Sequence, residues 1–126
     1  MIVGIGLDLV ETARIRDIFS RHRERFLNRI LTDAEREYVL RHADPVQRIA
    51  GRWTAKEAAL KALGTGLSQG IRWRDVEILN NPAGKPELYL HARAADIARE
   101  LGANTYHVTL THLESTALGQ VILERV

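Results

Sequence analysis

The sequence contains no cysteine, which excludes disulfides, thiolate metal sites and cysteine nucleophiles, although that absence says little about redox compartment. Aromatic residues are scarce, at 6%. A single-strand nucleic-acid reader needs rings interleaved with its charges to stack bases, and Phe19 and Phe26 fit better as core residues. The formal charge of +2 is likewise too small to imply nucleic acid. No apolar run is long enough to cross a bilayer, and Met1-Ile2-Val3-Gly4-Ile5-Gly6 carries no basic leader. Neither a membrane span nor a signal peptide is expected, and a cytoplasmic location follows by default.

What is present is a chain of 126 residues with 45% apolar positions, enough for one modest core and one domain over 1–126. So small a domain leaves much apolar surface uncovered, which favours self-association. Charge is unevenly placed. Arg14, Arg16, Arg21, Arg23, Arg25 and Arg29 crowd one region, with only Asp17 and Glu24 as acids between them. This run reads either as a solvated helix face or as a dock for an acidic partner.

Ile2 to Leu9 is a short apolar run beside glycine and reads as a buried strand that presents Asp8 near its end. Glu11 to Phe19 places Ile15, Ile18 and Phe19 at helical spacing. Thr32-Asp33-Ala34-Glu35 is a capping box that starts a helix towards Arg41. Gln47 to Leu63 is the longest helical pattern, and Gly64-Thr65-Gly66 stops it. Asp75–Leu79 and Glu87–Leu90 alternate around a turn rich in proline, glycine and asparagine. A helix over Ala92–Leu101 and two strands, Thr105–Thr111 and Ala117–Glu124, complete the chain. The expected class is α+β, with a mainly antiparallel sheet and a long central helix.

Several motifs fail on inspection. Gly4-Ile5-Gly6 is not a dinucleotide fingerprint, because Leu9 stands where the third glycine belongs. Gly84-Lys85-Pro86 is not a P-loop, because no serine or threonine follows the lysine. The histidines show no zinc spacing, and His107 and His112 would point to opposite faces of one strand.

Two acids remain in unusual settings: Asp8 towards the end of the first strand, and Glu57 within Ala55-Lys56-Glu57-Ala58-Ala59-Leu60-Lys61. Magnesium takes one or two carboxylates plus phosphate oxygens and water, so two acids meeting across a cleft would suffice. Lys61, one turn after Glu57, could supply a phosphate counter-charge from the same helix face. The plain alternative is an ordinary intrahelical Glu57–Lys61 ion pair.

The combination resembles a known family. Gly4-Ile5-Gly6-Leu7-Asp8, continued by Leu9 to Ile15, is similar to the opening of holo-acyl-carrier-protein synthases. Gly51-Arg52-Trp53-Thr54-Ala55-Lys56-Glu57-Ala58-Ala59-Leu60-Lys61-Ala62-Leu63-Gly64-Thr65-Gly66 resembles the 4′-phosphopantetheinyl transferase signature nearly position for position. Phe26–Thr32, Gly84–Pro86 and His107–His112 match further blocks in order, so the likeness spans nearly the whole chain. Trp53 departs from the commoner phenylalanine, and Thr109 from the usual serine.

The resemblance implies the phosphopantetheinyl transferase fold and transfer of the 4′-phosphopantetheine arm of coenzyme A to a serine of an apo acyl carrier protein, in support of fatty acid biosynthesis. It implies that Asp8 and Glu57 bind Mg2+, that Lys61 contacts phosphate, and that Asp8, Glu57 and Lys61 form the catalytic group. Arg52, Lys56, Lys61, Gly64, Thr65 and His112 match positions near the coenzyme. Arg14, Arg21 and Arg25 become candidates for docking the acidic carrier, and a homotrimer with its sites between subunits is expected. The acceptor of the serine proton stays open between Glu57, another acid and a metal-bound water. The rival classes are a basic binding module without activity and a carrier-binding scaffold that has lost catalysis.

Overall fold

A computed structural model describes residues 1–126. The first strand, β1 (Ile2–Glu11), leads into α1 (Thr12–Ile30), α2 (Asp33–Leu40) and α3 (Val46–Leu63). A short 3-10 turn, Trp73–Asp75, opens the hairpin β2 (Val76–Asn80) and β3 (Pro86–Leu90). The helix α4 (Ala92–Glu100) and the strands β4 (Thr105–His112) and β5 (Thr116–Glu124) follow. The strands form a three-stranded antiparallel sheet, β1-β5-β4, and a separate two-stranded hairpin, β2-β3.

The long helix α3 lies across the three-stranded sheet, and glycine makes that possible. A methyl group at Gly6 would lie 2.8 Å from the Ala62 nitrogen, and one at Gly119 would lie 2.9 Å from the Ala55 nitrogen. Across that contact α3 presents only small side chains: Ala55, Ala58 and Ala62 are buried. The Gly-Ile-Gly motif of β1 therefore serves close strand–helix packing, in place of the phosphate binding that was rejected from its spacing.

β1 is buried on one face only. Gly6 and Val10 lie under α3 and the core, whereas Ile5, Leu7 and Leu9 are 58%, 52% and 63% exposed. The expectation of a fully buried strand is corrected accordingly, because nothing in one chain covers the outer face of its sheet. α1 also runs beyond Phe19 to Ile30, with a break at His22, where φ −136° and ψ 37° leave the helical region. Arg14 and Arg21 precede that kink and Arg25 follows it, so they do not share one straight stripe. The capping box at Thr32 forms with both reciprocal bonds, and Gly64 caps α3 in the left-handed region at φ 78°. A single cluster of 29 buried apolar residues joins α1, α2, α3 and α4 to both sheets.

Candidate functional site

Asp8 pairs with Gly119 in the sheet, and Gly119 pairs with Leu110 beyond it. Side chains in one such row share a face, so Asp8 emerges on the α3 side of the sheet, along the β1 edge. There α3 presents Thr54, Glu57 and Lys61 at successive turns. The Thr54 hydroxyl donates to Asp8 Oδ2 at 2.9 Å, and Lys61 Nζ donates to Asp8 Oδ1 at 3.1 Å and to the Leu7 carbonyl at 3.0 Å. Lys61 is therefore tied across to β1, and no Glu57–Lys61 ion pair forms.

Glu57 is half-buried and receives no hydrogen bond from the protein. Burial, and then the neighbouring Asp8 carboxylate, push its carboxyl above the ordinary range, while Lys61 and Arg14 pull it back. Two carboxylates facing one gap, one of them without a donor, are a poor arrangement for the protein alone. It is a good one for a hard cation. No group of three or more histidines or acids converges to cage a metal. Any ion held by Asp8 and Glu57 must take its remaining oxygens from water or substrate, which is the habit of magnesium.

The second cluster lies on the opposite flank of α3, beside the β4 edge. Arg52 and Arg48, one turn apart, line a cavity of about 210 Å³ with Tyr38, Asn80, Leu110 and His112. Arg52 is 4% exposed, yet it pairs with no acid. One nitrogen donates to Asn80 Oδ1 at 2.8 Å, the plane lies over the Tyr38 ring at 4.4 Å, and Nε has no partner. Burial lowers its pKa below the ordinary value. A buried guanidinium beside a second arginine and a histidine, with no carboxylate bonded to it and only the through-space pull of Glu35, which Lys56 already holds, is a place for a phosphate.

The expected site residues thus fall into separate places. Asp8, Glu57 and Lys61 meet, with Arg14 at their margin. Arg52 and His112 meet in the second cavity. Gly64 and Thr65 form the stop of α3 beyond Lys61, where the Thr65 carbonyl accepts from Ser68 at 2.6 Å.

Lys56 belongs to neither cluster, which corrects its expected contact with the coenzyme. Its side chain is fully buried, and its amine donates to the Ile30 carbonyl at 2.6 Å, Glu35 Oε1 at 2.7 Å and the Trp73 carbonyl at 3.1 Å. An ammonium has three protons to donate and all are used inside the protein. Burial lowers its pKa, opposed by Glu35.

Three participants escaped the sequence reading. Thr54 and Arg48 were findable, since Thr54 lies one turn before Glu57 and Arg48 one turn before Arg52. Glu35, the far end of the capping box, also takes the Lys56 charge and the Ile78 amide at 2.9 Å. Of the docking candidates, Arg14 makes no ion pair and sits over the Trp53 ring at 5.5 Å. Arg21 is held by Asp17 at 3.1 Å, and Arg25 is exposed.

Comparison with known proteins gives a consistent picture. The model of the 4′-phosphopantetheinyl transferase superfamily matches residues 4–111. A holo-[acyl-carrier-protein] synthase of Koribacter versatilis is 44% identical over 124 residues, covering 98% of this chain and 99% of that protein. The enzyme of the same name from Photorhabdus laumondii is 45% identical over 124 residues, with 98% of each chain covered. Among solved structures, the Bacillus anthracis holo-(acyl-carrier-protein) synthase in complex with CoA (3′,5′-ADP) superposes with a TM-score of 0.84 at 34% identity, covering 100% of this chain and 99% of that one. The Neisseria meningitidis synthase reaches a TM-score of 0.89 at 33% identity, covering 99% and 100%.

Proposed function

Because the chain belongs to the 4′-phosphopantetheinyl transferase superfamily, in its holo-acyl-carrier-protein synthase group, we propose that it transfers the 4′-phosphopantetheine arm of coenzyme A to a serine of an apo acyl carrier protein. The carrier serine oxygen attacks the β-phosphorus, its bond to the bridging oxygen of the pyrophosphate breaks, and adenosine 3′,5′-bisphosphate leaves while the serine proton is lost. The observation that carries the reading is the pairing of two complementary charge clusters. Half-buried carboxylates at Asp8 and Glu57 call for a cation, and the buried Arg52, which forms no ion pair, calls for a phosphate.

Asp8 and Glu57 are the residues to hold Mg2+, which when bound neutralises charge on the pyrophosphate oxygens. Thr54 and Lys61 fix the rotamer of Asp8 through its two oxygens, and Lys61 brings a further positive charge to the same gap. Arg52, Arg48 and His112 offer a phosphate both charge and a planar fork.

The same reading includes a homotrimer. Within one chain the two clusters lie on opposite flanks of α3, one along the β1 edge and the other along the β4 edge. A head-to-tail ring joins one flank of each copy to the other flank of the next. The exposed Ile5, Leu7 and Leu9 supply apolar surface for such contacts. No helix is long and apolar enough to cross a membrane, and the proposed setting is cytoplasmic fatty acid biosynthesis.

The test is the intact mass of an apo acyl carrier protein after incubation with this protein, coenzyme A and Mg2+, beside reactions with chelator or with Glu57→Ala. A gain of one phosphopantetheine, absent from both controls, is the expected result. No gain on several different carriers would overturn the assignment.

A further inference from the structure

The arginines of α1 are not equally free. Arg16 is bound to Asp44 at 2.8 Å, Arg21 to Asp17 at 3.1 Å, and Arg23 lies over Phe19 at 4.8 Å with Glu24 at 3.9 Å. Arg14, like Arg25 and Arg29, has no acid partner, but unlike them it is ordered on a ring: its guanidinium carbon lies 5.5 Å from the centre of the Trp53 ring. That ring is itself clamped. Trp53 stacks on Trp73 with centroids 4.6 Å apart and planes 27° apart, and Phe26 closes on it at 5.9 Å. Trp73 and Phe26 are each 7% exposed, so the shelf beneath Arg14 is part of the core rather than a loose surface ring.

The position of the shelf matters as much as its rigidity. Trp53 stands one turn of α3 before Glu57, on the same flank of the helix. Arg14 lies in the first turn of α1, directly after the strand that carries Asp8. The perch therefore fixes a free guanidinium where the arginine-rich helix meets the acid cluster.

We propose that Trp53 is a positioning residue for carrier recognition, its ring holding Arg14 extended and unpaired at the margin of the Asp8–Glu57–Lys61 cluster for a carboxylate close to the carrier's modified serine. This rests on the carrier-protein reading above. An exposed arginine loses much rotamer freedom when it docks, and a guanidinium already ordered on a ring loses less. Tryptophan has the most favourable ring face for a cation, so Trp53 holds Arg14 more firmly than a phenylalanine would.

The test is a cycle of Trp53→Leu, Arg14→Ala and the double variant, with Trp53→Phe as the conservative control. Steady-state rates are measured with carrier and coenzyme A varied separately. An exposed cation–π contact is worth a change of about two- to five-fold, so Trp53→Leu should raise the carrier KM by that factor. Its kcat and coenzyme KM should stay at wild-type values, Trp53→Phe should recover most of the loss, and Trp53→Leu should add nothing once Arg14 is alanine.

Some loss of thermal stability is expected either way, because Trp53 packs on Trp73 and Phe26, but a ring that served packing alone would lower kcat instead of raising the carrier KM, and its effect would persist in the Arg14→Ala background. Either that pattern or an unchanged carrier KM overturns the proposal while leaving the transferase reading intact. A wild-type protein that modifies no carrier overturns both. If Trp53→Leu fails to fold, Trp53→Phe with and without Arg14→Ala carries the same comparison, with a smaller shift in carrier KM that must again vanish without Arg14.

Discussion

Replacing Gly6 by alanine should damage this protein out of proportion to one methyl group. The added carbon would stand 2.7 Å from the carbonyl carbon and closer still to the carbonyl oxygen of Ala58, and 2.8 Å from the Ala62 nitrogen. Comfortable contact between such atoms begins at about 3.5 Å, so β1 and α3 must part by well over about 1 Å, the Ala58 carbonyl oxygen demanding the most. Overpacking costs about 1–3 kcal/mol where side chains can give way. Here both walls are backbone, so about 3 kcal/mol is a fair minimum. With an unfolding entropy of about 0.26 kcal/mol per degree for a chain of 126 residues, the midpoint should fall by about 11 °C. Gly64→Ala is the control: its φ is 78° and a methyl group there meets nothing, so only the left-handed backbone is penalised, by about 1 kcal/mol. Activity should fall further than stability in Gly6→Ala, because Asp8 is two residues along the same strand and its 3.1 Å bond to Lys61 spans the gap that opens. Thermal melts and initial transfer rates well below both midpoints test this. A Gly6→Ala midpoint within about 2 °C of wild type would refute the packing argument, since it would show the strand and helix separating freely.

Glu57 gives a pH-dependent test in chelator. Its folded pKa is raised, so the stability its neutral carboxyl contributes is complete below the unfolded pKa and is lost as pH rises through the folded one. Glu57→Gln should therefore melt above wild type at neutral pH, converge with it near about pH 4, and transfer nothing; a lower midpoint at neutral pH would contradict the assignment. Lys56→Met leaves Glu35 buried without its cation and should cost about 3–5 kcal/mol by urea melts. Adding Glu35→Gln, which removes the buried charge but keeps an acceptor for only one of the Thr32 and Ile78 amides, should recover part of that, whereas an unchanged melt with a raised coenzyme KM would restore Lys56 to the coenzyme site. Arg52→Ala and Glu57→Gln should each be inactive, yet refolded together they should regain about a quarter of the wild-type rate if each site combines opposite flanks of neighbouring subunits. No recovery would place the whole site within one chain.

Local signals carried most of the fold. The capping box at Thr32, the glycine stop at Gly64 and the alternation of the strands are each decided by neighbouring residues, and these elements lie close to where the sequence puts them. The misjudgements concern what only three dimensions settle. Ile5, Leu7 and Leu9 look as buried as any branched run, but burial of a strand depends on what covers each face, and here only the glycine face has a cover. The length of α1 was hidden by its arginines, which dilute the apolar periodicity, and by the break at His22.

The candidate site was legible as a list and not as an arrangement. Arg52, Lys56, Glu57 and Lys61 are close in sequence, so they invite reading as one constellation. A helix turns about 100° per residue, and that rotation separates them. Ala55, Ala58 and Ala62 take the sheet, Thr54, Glu57 and Lys61 reach Asp8 on one flank, and Arg48 and Arg52 turn to the cavity on the other. Lys56, next to Glu57 in the chain, points to the core and ties α3 to α1, to Glu35 of α2 and to the turn at Trp73. Adjacency along the motif is thus the reverse of shared function: Lys56 holds the helix that presents Glu57. A charge-conserving Lys56→Arg should accordingly fail as well, since a cavity closed around one amine and its three acceptors has no room for a planar fork.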